Sequence, residues 1–218
     1  MIPGVVLQID GEAVLVTARA PLAVLSSAVV GGGLAQARAL VNLHVPKNFR
    51  CDPPEAPLTD FVRRRGVPLP YVGFLTSAWT EKAEVAEEAG RGVAALAVVT
   101  VGLGNRVAAG LSPAAPVTAP STINVIVVVD ADVSPAALVN AALTVTEVKT
   151  AVLGERGVAC PDGGLATGTS TDAVAIAATG RGRPCRYGGP VSDLGWVVAR
   201  AARAALDTGV RRWLEAHA

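Results

Sequence analysis

The sequence predicts an α/β (α+β) fold, a single-domain sandwich in which a mixed, mostly antiparallel sheet packs against long helices. Three observations predict it. Asp10-Gly11 separates two alternating apolar runs, so the first strands are hairpin neighbours with no crossover helix between them. Continuous Val/Ile-rich runs at Val93–Val101 and 123–129 read as buried strands. Two stretches with helical apolar periodicity, 135–156 and 193–216, read as long helices. At 218 residues the chain suits one domain, 1–218.

In chain order, Val5–Ile9 and residues 13–18 flank the Asp10-Gly11 turn as strands. A third strand at 22–30 ends in Gly31-Gly32-Gly33, and a fourth covers 39–45. Residues 46–70, rich in proline and charge, read as an irregular loop and candidate lid with a short helix at 58–65. A strand at 71–78 and an acidic surface patch at 81–88 precede the buried strand that ends at Gly102-Leu-Gly-Asn105. Gly102-Leu-Gly104 is no dinucleotide fingerprint. The third glycine is missing, and a Pro/Ala/Ser loop at 112–121 stands where a long helix should continue.

The first long helix opens with Ser134 as a cap and Pro135 at the first helical position. At about 100° per residue, Leu138, Ala141, Ala142, Val145, Val148 and Val152 share one apolar face. Lys149 falls in the middle of it, whereas Asn140, Thr144 and Glu147 fall on the opposite side. Such a lysine either snorkels to water along its apolar stem or enters a polar pocket, where a partly desolvated amine serves as a base.

Composition narrows the function classes. Hydrophobic residues make up 51% and aromatics 4%, with a mean hydropathy of +0.45, so the core is built from Ala, Val and Leu. That much apolar surface makes a homo-oligomer an expectation. The longest apolar runs, 93–104 and 123–129, fall short of the ~20 residues of a spanning helix, so no membrane span is expected. The N-terminus shows no secretory signal pattern. Three widely spaced cysteines suggest neither a disulfide framework nor a zinc knuckle, and fit a reducing cytoplasm. Nineteen basic residues against 18 acidic ones argue against a nucleic-acid partner. The Arg63–Arg65 run and the Arg181, Arg183, Arg186 group read as solvated faces. His44 and His217 are too far apart in sequence for a metal pair, although His44 alone remains a candidate acid or base.

The richest stretch is Ala-Thr-Gly-Thr-Ser-Thr-Asp at 166–172, followed by the apolar run Ala173–Ala178. Four hydroxyls and a carboxylate beside a rigid strand can hold water, donate to an oxyanion or attack a carbonyl. Thr167, Thr169 and Thr171 also suit one face of a Thr-rich strand. Lys149 is close in sequence. The candidate catalytic set is therefore Lys149, Thr167, Thr169, Thr171, Asp172 and Glu147. Asn42, Asn105 and Asn124 sit at strand ends, where a buried amide needs a partner, either a substrate amide or nearby backbone.

Several blocks in order look familiar: Ser26-Ser27-Ala28 with Gly31-Gly32-Gly33, Val41-Asn42, Thr100-Val-Gly-Leu-Gly-Asn105, Ile-Asn-Val-Ile-Val-Val-Val-Asp at 123–130, 136–140, Thr146-Glu-Val-Lys-Thr150 and the 166–172 cluster. Together they resemble the adenosylcobinamide amidohydrolase family of corrinoid salvage. The likeness runs from about residue 25 to 178; residues 46–70 and 160–164 match nothing. It implies hydrolysis of the amide joining an aminopropanol arm to the corrin ring, giving adenosylcobyric acid and 1-amino-2-propanol. It also implies a corrinoid small-molecule partner whose cobalt belongs to the substrate, with no cofactor of the protein's own.

The catalytic residues are not carried by that likeness. An amide hydrolase needs a nucleophile, oxyanion donors and a proton for the leaving amine. The preferred arrangement uses a hydroxyl from 167–171 with Lys149 as base and later acid, while water held by Asp172 or Glu147 stays open. Asn105 and Asn124 would orient the amide, and Ser26, Ser27, Gly32 and Asn42 complete the expected substrate contacts. Because the corrin rim bears several similar amides, discrimination requires a wide cleft that docks the macrocycle. A non-catalytic corrinoid-binding protein and an amidohydrolase of another large amide remain the alternatives.

Overall fold

The computed structural model describes residues 2–114 and 121–217, so most of the loop read at 112–121 lies outside the described residues. The chain opens with β1 (Val5–Ile9), β2 (Ala13–Ser26) and β3 (Gly33–His44), followed by α1 (Ala56–Arg65). Next come β4 (Tyr71–Thr76), β5 (Glu84–Gly90), β6 (Val93–Val101) and the short β7 (Arg106–Val107). β8 (Ile123–Asp130) and β9 (Asp132–Val133) lead into α2 (Pro135–Glu155). β10 (Gly168–Thr169), β11 (Ala173–Ala178), β12 (Pro184–Cys185) and α3 (Asp193–Glu215) complete it.

The main sheet runs β4-β3-β2-β11-β8-β6-β5, with β1 also on β2. β3–β4 and β8–β11 are parallel, and the other pairings are antiparallel, as expected. The β2–β3 ladder shifts register between Thr17 and Leu22, and such a bulge bends a strand. The β1-β2-β3-β4 half thereby folds over the β11-β8-β6-β5 half. Val14, Val16, Leu40 and Phe74 of the first layer meet Leu96, Val98, Ile126 and Val128 of the second. The outer face of the second layer, including Val99, Val125, Val127 and Ile176, packs on α2 and α3. The outer face of the first layer, with Leu15, Val41 and Leu43, is covered by Leu58, Phe61 and Val62 of α1. The result is a sandwich of two β layers between helices.

Several elements differ from their predicted form. The strands read at 13–18 and 22–30 are one bulged strand, β2, which ends at Ser26. β3 starts at Gly33, well before residue 39. The turn between them needs its glycines: Gly31 and Gly33 take φ of 68° and 83°, and a Cβ on Gly32 would lie 2.7 Å from the Ala28 carbonyl oxygen. The acidic patch at 81–88 is mostly the edge strand β5. Its Glu84 and Glu88 turn inward to meet Arg212 and Arg200 of α3, which is why charge does not exclude it from the sheet. Within the candidate lid, the helix read at 58–65 is α1, which starts slightly earlier at Ala56 and is anchored by its core residues, so 46–55 and 66–70 are left as connections. α2 is long and apolar enough by length and composition to cross a membrane, although its apolar residues are interrupted by polar ones and form no unbroken run. Its Leu138, Ala141, Val145 and Val152 pack into the core beneath the sheet. Among the basic clusters, Arg64 and Arg65 pair with Glu12 and Asp10, Arg181 with Asp130, and Arg183 with Asp193.

Candidate active site

The site begins with the aim of α2. Ser134 Oγ accepts the Ala137 N–H at 3.2 Å and fixes the helix start, as expected of the cap. The apolar stripe then faces the sheet and carries Lys149 inward, to 8% exposure. Glu147 and Asn140 are exposed, so Glu147 does not join the cluster. Thr144 does turn inward, contrary to its expected side. It is 1% exposed and donates to the Gly188 carbonyl at 3.0 Å, a partner supplied by a segment far along the chain.

Lys149 ends in an ion pair with Asp172 Oδ2, and the two side chains are 9% and 10% exposed. Asp172 has three further donors. Thr169 N–H reaches Oδ2 at 3.0 Å, Ile123 N–H reaches Oδ1 at 3.0 Å, and the Thr169 hydroxyl donates to Oδ1 at 2.5 Å. These four donors match the acceptor capacity of an ionised carboxylate. Gly168 makes the approach sterically feasible. A Cβ there would lie 2.7 Å from Lys149 Nζ and closer still to Asp172 Oδ2.

The 166–172 stretch is not a long Thr-rich strand. Its Gly168 and Thr169 pair with Val107 and Arg106 of β7, and the chain then turns into β11. Of the four hydroxyls, only that of Thr169 meets Asp172. Thr167 Oγ1 accepts from Ala109 N at 2.8 Å, Thr171 Oγ1 donates to Ser121 O at 3.2 Å, and Ser170 Oγ accepts from Asn105 Nδ2 at 2.5 Å.

Behind this cluster runs a buried polar chain between the two β layers. Thr122 Oγ1 lies 2.7 Å from Thr171 O and 3.1 Å from Asn124 Oδ1. Asn124 Nδ2 donates to Asn42 Oδ1 at 2.9 Å and to Leu75 O at 3.0 Å, and Asn42 Nδ2 donates to Thr100 Oγ1 at 2.9 Å. Asn42 and Asn124 are therefore partners of each other. Thr122 escaped the sequence reading and Thr100 entered it only as part of the block 100–105, although each stands at a strand end on the inner face beside an asparagine. Ser27 exchanges hydrogen bonds with Val174, its N–H to Val174 O at 3.0 Å and Val174 N–H to its Oγ at 3.1 Å. It thus sits two residues along β11 from Asp172. Ser26 Oγ bridges Gly31 O and Ala28 N at 3.4 Å, and Gly32 is packed against Ala28 in the same turn. Among the described residues, no three of His, Cys, Asp and Glu gather to hold a metal ion.

The family described as adenosylcobinamide amidohydrolase (CbiZ) matches residues 5–218. The chain belongs to that family. A relative of the same description from Methanosarcina mazei is 32% identical over 152 residues, which is 68% of this chain and 66% of that protein. The match therefore spans just under two thirds of that relative's length. Among solved structures, a Burkholderia sp. beta-aminopeptidase superposes with a TM-score of 0.52 at 12% identity, covering 96% of this chain and 84% of that one. The PH0078 protein from Pyrococcus horikoshii OT3 gives 0.50 at 12% identity, covering 95% and 83%. At that identity the two structures share the fold. For a family of amide hydrolases, the notable features are a threonine hydroxyl on a carboxylate and an ammonium beside it.

Proposed function

We propose that this chain hydrolyses the amide between the aminopropanol arm and the corrin ring of adenosylcobinamide, releasing 1-amino-2-propanol and adenosylcobyric acid for corrinoid salvage. Family membership supports the substrate class. The single observation that supports the chemistry is the Thr169 hydroxyl resting on Asp172, with Lys149 on the other oxygen.

Lys149 already acts as a donor in this geometry, so the base role passes from the amine to Asp172. Thr169 Oγ1 attacks the amide carbon as its proton moves to Asp172, and the carbonyl electrons move onto oxygen. Collapse of the tetrahedral species breaks the C–N bond, and the aminopropanol nitrogen takes a proton relayed by Asp172 and Lys149. Water then cleaves the threonyl ester, leaving the corrin carboxylate and the free hydroxyl. Asn105 Nδ2 donates to Ser170 Oγ, one residue from Thr169, and in this scheme Asn105 would orient the amide and its oxyanion. With all of Asp172's acceptor positions taken, a Thr169 nucleophile is favoured over a water held by that carboxylate. The scheme calls for no cofactor beyond the cobalt that arrives with the substrate. Three free cysteines accord with a reducing cytoplasm.

The test is release of 1-amino-2-propanol from adenosylcobinamide by the full chain and by Lys149→Ala, Thr169→Ala and Asp172→Asn. Each variant should lose about 10²-fold or more in kcat. Near-normal turnover in Lys149→Ala and Thr169→Ala rules the scheme out. Binding without release by the wild-type chain would instead indicate a corrinoid carrier, and neither binding nor release would point to another amide substrate.

A further inference from the structure

The C-terminal end of β3 carries an aromatic pair that the catalytic scheme does not use. On β3, Leu40, Asn42 and His44 alternate onto the inner face: Leu40 lies in the core between the layers, and Asn42 bonds to Asn124. His44 is the next inner-facing residue outward and is half-buried. Its ring stacks on Trp79 at a centroid distance of 4.9 Å and an interplanar angle of 13°, and Trp79 is 56% exposed.

The pair is held still from several sides. His44 Nδ1 lies 3.0 Å from the Ala78 carbonyl, Thr76 Oγ1 accepts from Ala78 N at 3.1 Å, and Thr80 Oγ1 donates to Asp10 O at 2.7 Å. A carbonyl only accepts, so in the neutral ring Nδ1 carries the hydrogen and Nε2 carries the lone pair. No described residue hydrogen-bonds Nε2. The structure thus presents a rigid, exposed, flat apolar face with one fixed hydrogen-bond acceptor beside it. A large exposed indole held this firmly does little for the core. It is suited to a flat ligand with N–H groups on its rim.

We propose that the His44–Trp79 pair is the docking platform for the corrin macrocycle, which stacks on the indole while His44 Nε2 accepts an N–H from a rim carboxamide. This rests on the proposed function and adds to it the selection of the amide. Anchoring a neighbouring carboxamide at His44 fixes which side arm reaches Thr169 at the far end of the Asn42–Asn124–Thr122 chain. Trp79 and His44 are specificity residues and take no part in bond making.

The experiment uses the full chain in two backgrounds, wild type for kcat and KM and Thr169→Ala for spectrophotometric titration with adenosylcobinamide. Trp79→Ala should weaken binding about tenfold or more. His44→Phe keeps a ring but loses the acceptor and should weaken it about three- to tenfold, with His44→Gln recovering part of the loss. In the wild-type background most of each loss should fall in KM. Affinity within about twofold of the parent in both Trp79→Ala and His44→Phe overturns the platform and leaves the proposed function standing. So does a lower Tm with unchanged affinity, which would make the stack structural. If the wild-type chain releases no aminopropanol and the Thr169→Ala parent binds no adenosylcobinamide, both readings fall.

Discussion

Adding one methyl group at Gly168 should disable the site more severely than its size suggests. In Gly168→Ala the new Cβ would lie 2.7 Å from Lys149 Nζ and nearer still to Asp172 Oδ2, whereas non-bonded atoms settle at about 3.5 Å or more. The ammonium must therefore retreat by roughly 0.8 Å and the carboxylate by more, and the carboxylate has no free space because it is also held by Thr169 and Ile123. A misplacement near 1 Å costs about 10²-fold in rate, so kcat for aminopropanol release should fall about 10²-fold. Overpacking at a nine-tenths-buried pair should also cost about 1–3 kcal/mol, a Tm loss of about 2–12 °C for a domain of this size. Gly154→Ala is the matched control. It lies on α2, the helix that carries Lys149, with nothing within 4 Å of its would-be Cβ, and should leave kcat alone and add up to about 1 kcal/mol of stability. Both are read by thermal melts and an amine-release assay. A Gly168→Ala protein with wild-type kcat and Tm would show that the Lys149–Asp172 geometry is not what turnover depends on.

Three further outcomes are expected. Asn124→Ala strips partners from Asn42 Oδ1 and Leu75 O in a buried site, so urea unfolding should show a loss of about 2–4 kcal/mol. A double-mutant cycle with Asn42→Ala should show coupling of about 1 kcal/mol or more, and additive effects would contradict the polar chain. Asp207 is held below its ordinary value of 3.8 by the hydrogen bond from the Arg156 guanidinium, so the unfolded chain binds its proton more readily than the folded one. Its contribution, small because the pair is solvent-screened, is present at neutral pH and disappears as pH falls through the lowered folded value. The stability gap between wild type and Asp207→Asn should close over that acid range, and a gap that widens there would refute the assignment. Replacing residues 47–50 by a Gly-Ser segment should raise KM for adenosylcobinamide if this exposed stretch closes over the cleft, and an unchanged KM removes the lid.

What was legible in the sequence was local and periodic. The helical stripe placed Lys149 on a core-facing surface, the cap at Ser134 started the helix where the structure has it, and the Asp10-Gly11 hairpin and the buried runs at β6 and β8 are present. What was not legible depends on partners distant in the chain. Thr144 lies inward because Gly188 supplies a carbonyl, and Asn42 meets Asn124 only because a bulge folds one β layer over the other. β5 looked like a solvent patch because its inward glutamates find arginines more than a hundred residues later. The seven-residue hydroxyl cluster stood out by composition, yet only the fold shows that a single one of its hydroxyls touches the carboxylate.

The placement of β11 has a consequence for how the protein is made. This strand enters the sheet between β2 and β8, although both are translated well before it, and it brings Asp172 with it. Until the ribosome has delivered about the first 180 residues, β2 and β8 each expose an unpaired apolar edge, the feature that drives chains to aggregate. The nascent protein therefore passes through its most vulnerable stage just before it can become an enzyme, and slowed elongation ahead of this strand would be expected to cost soluble yield rather than specific activity.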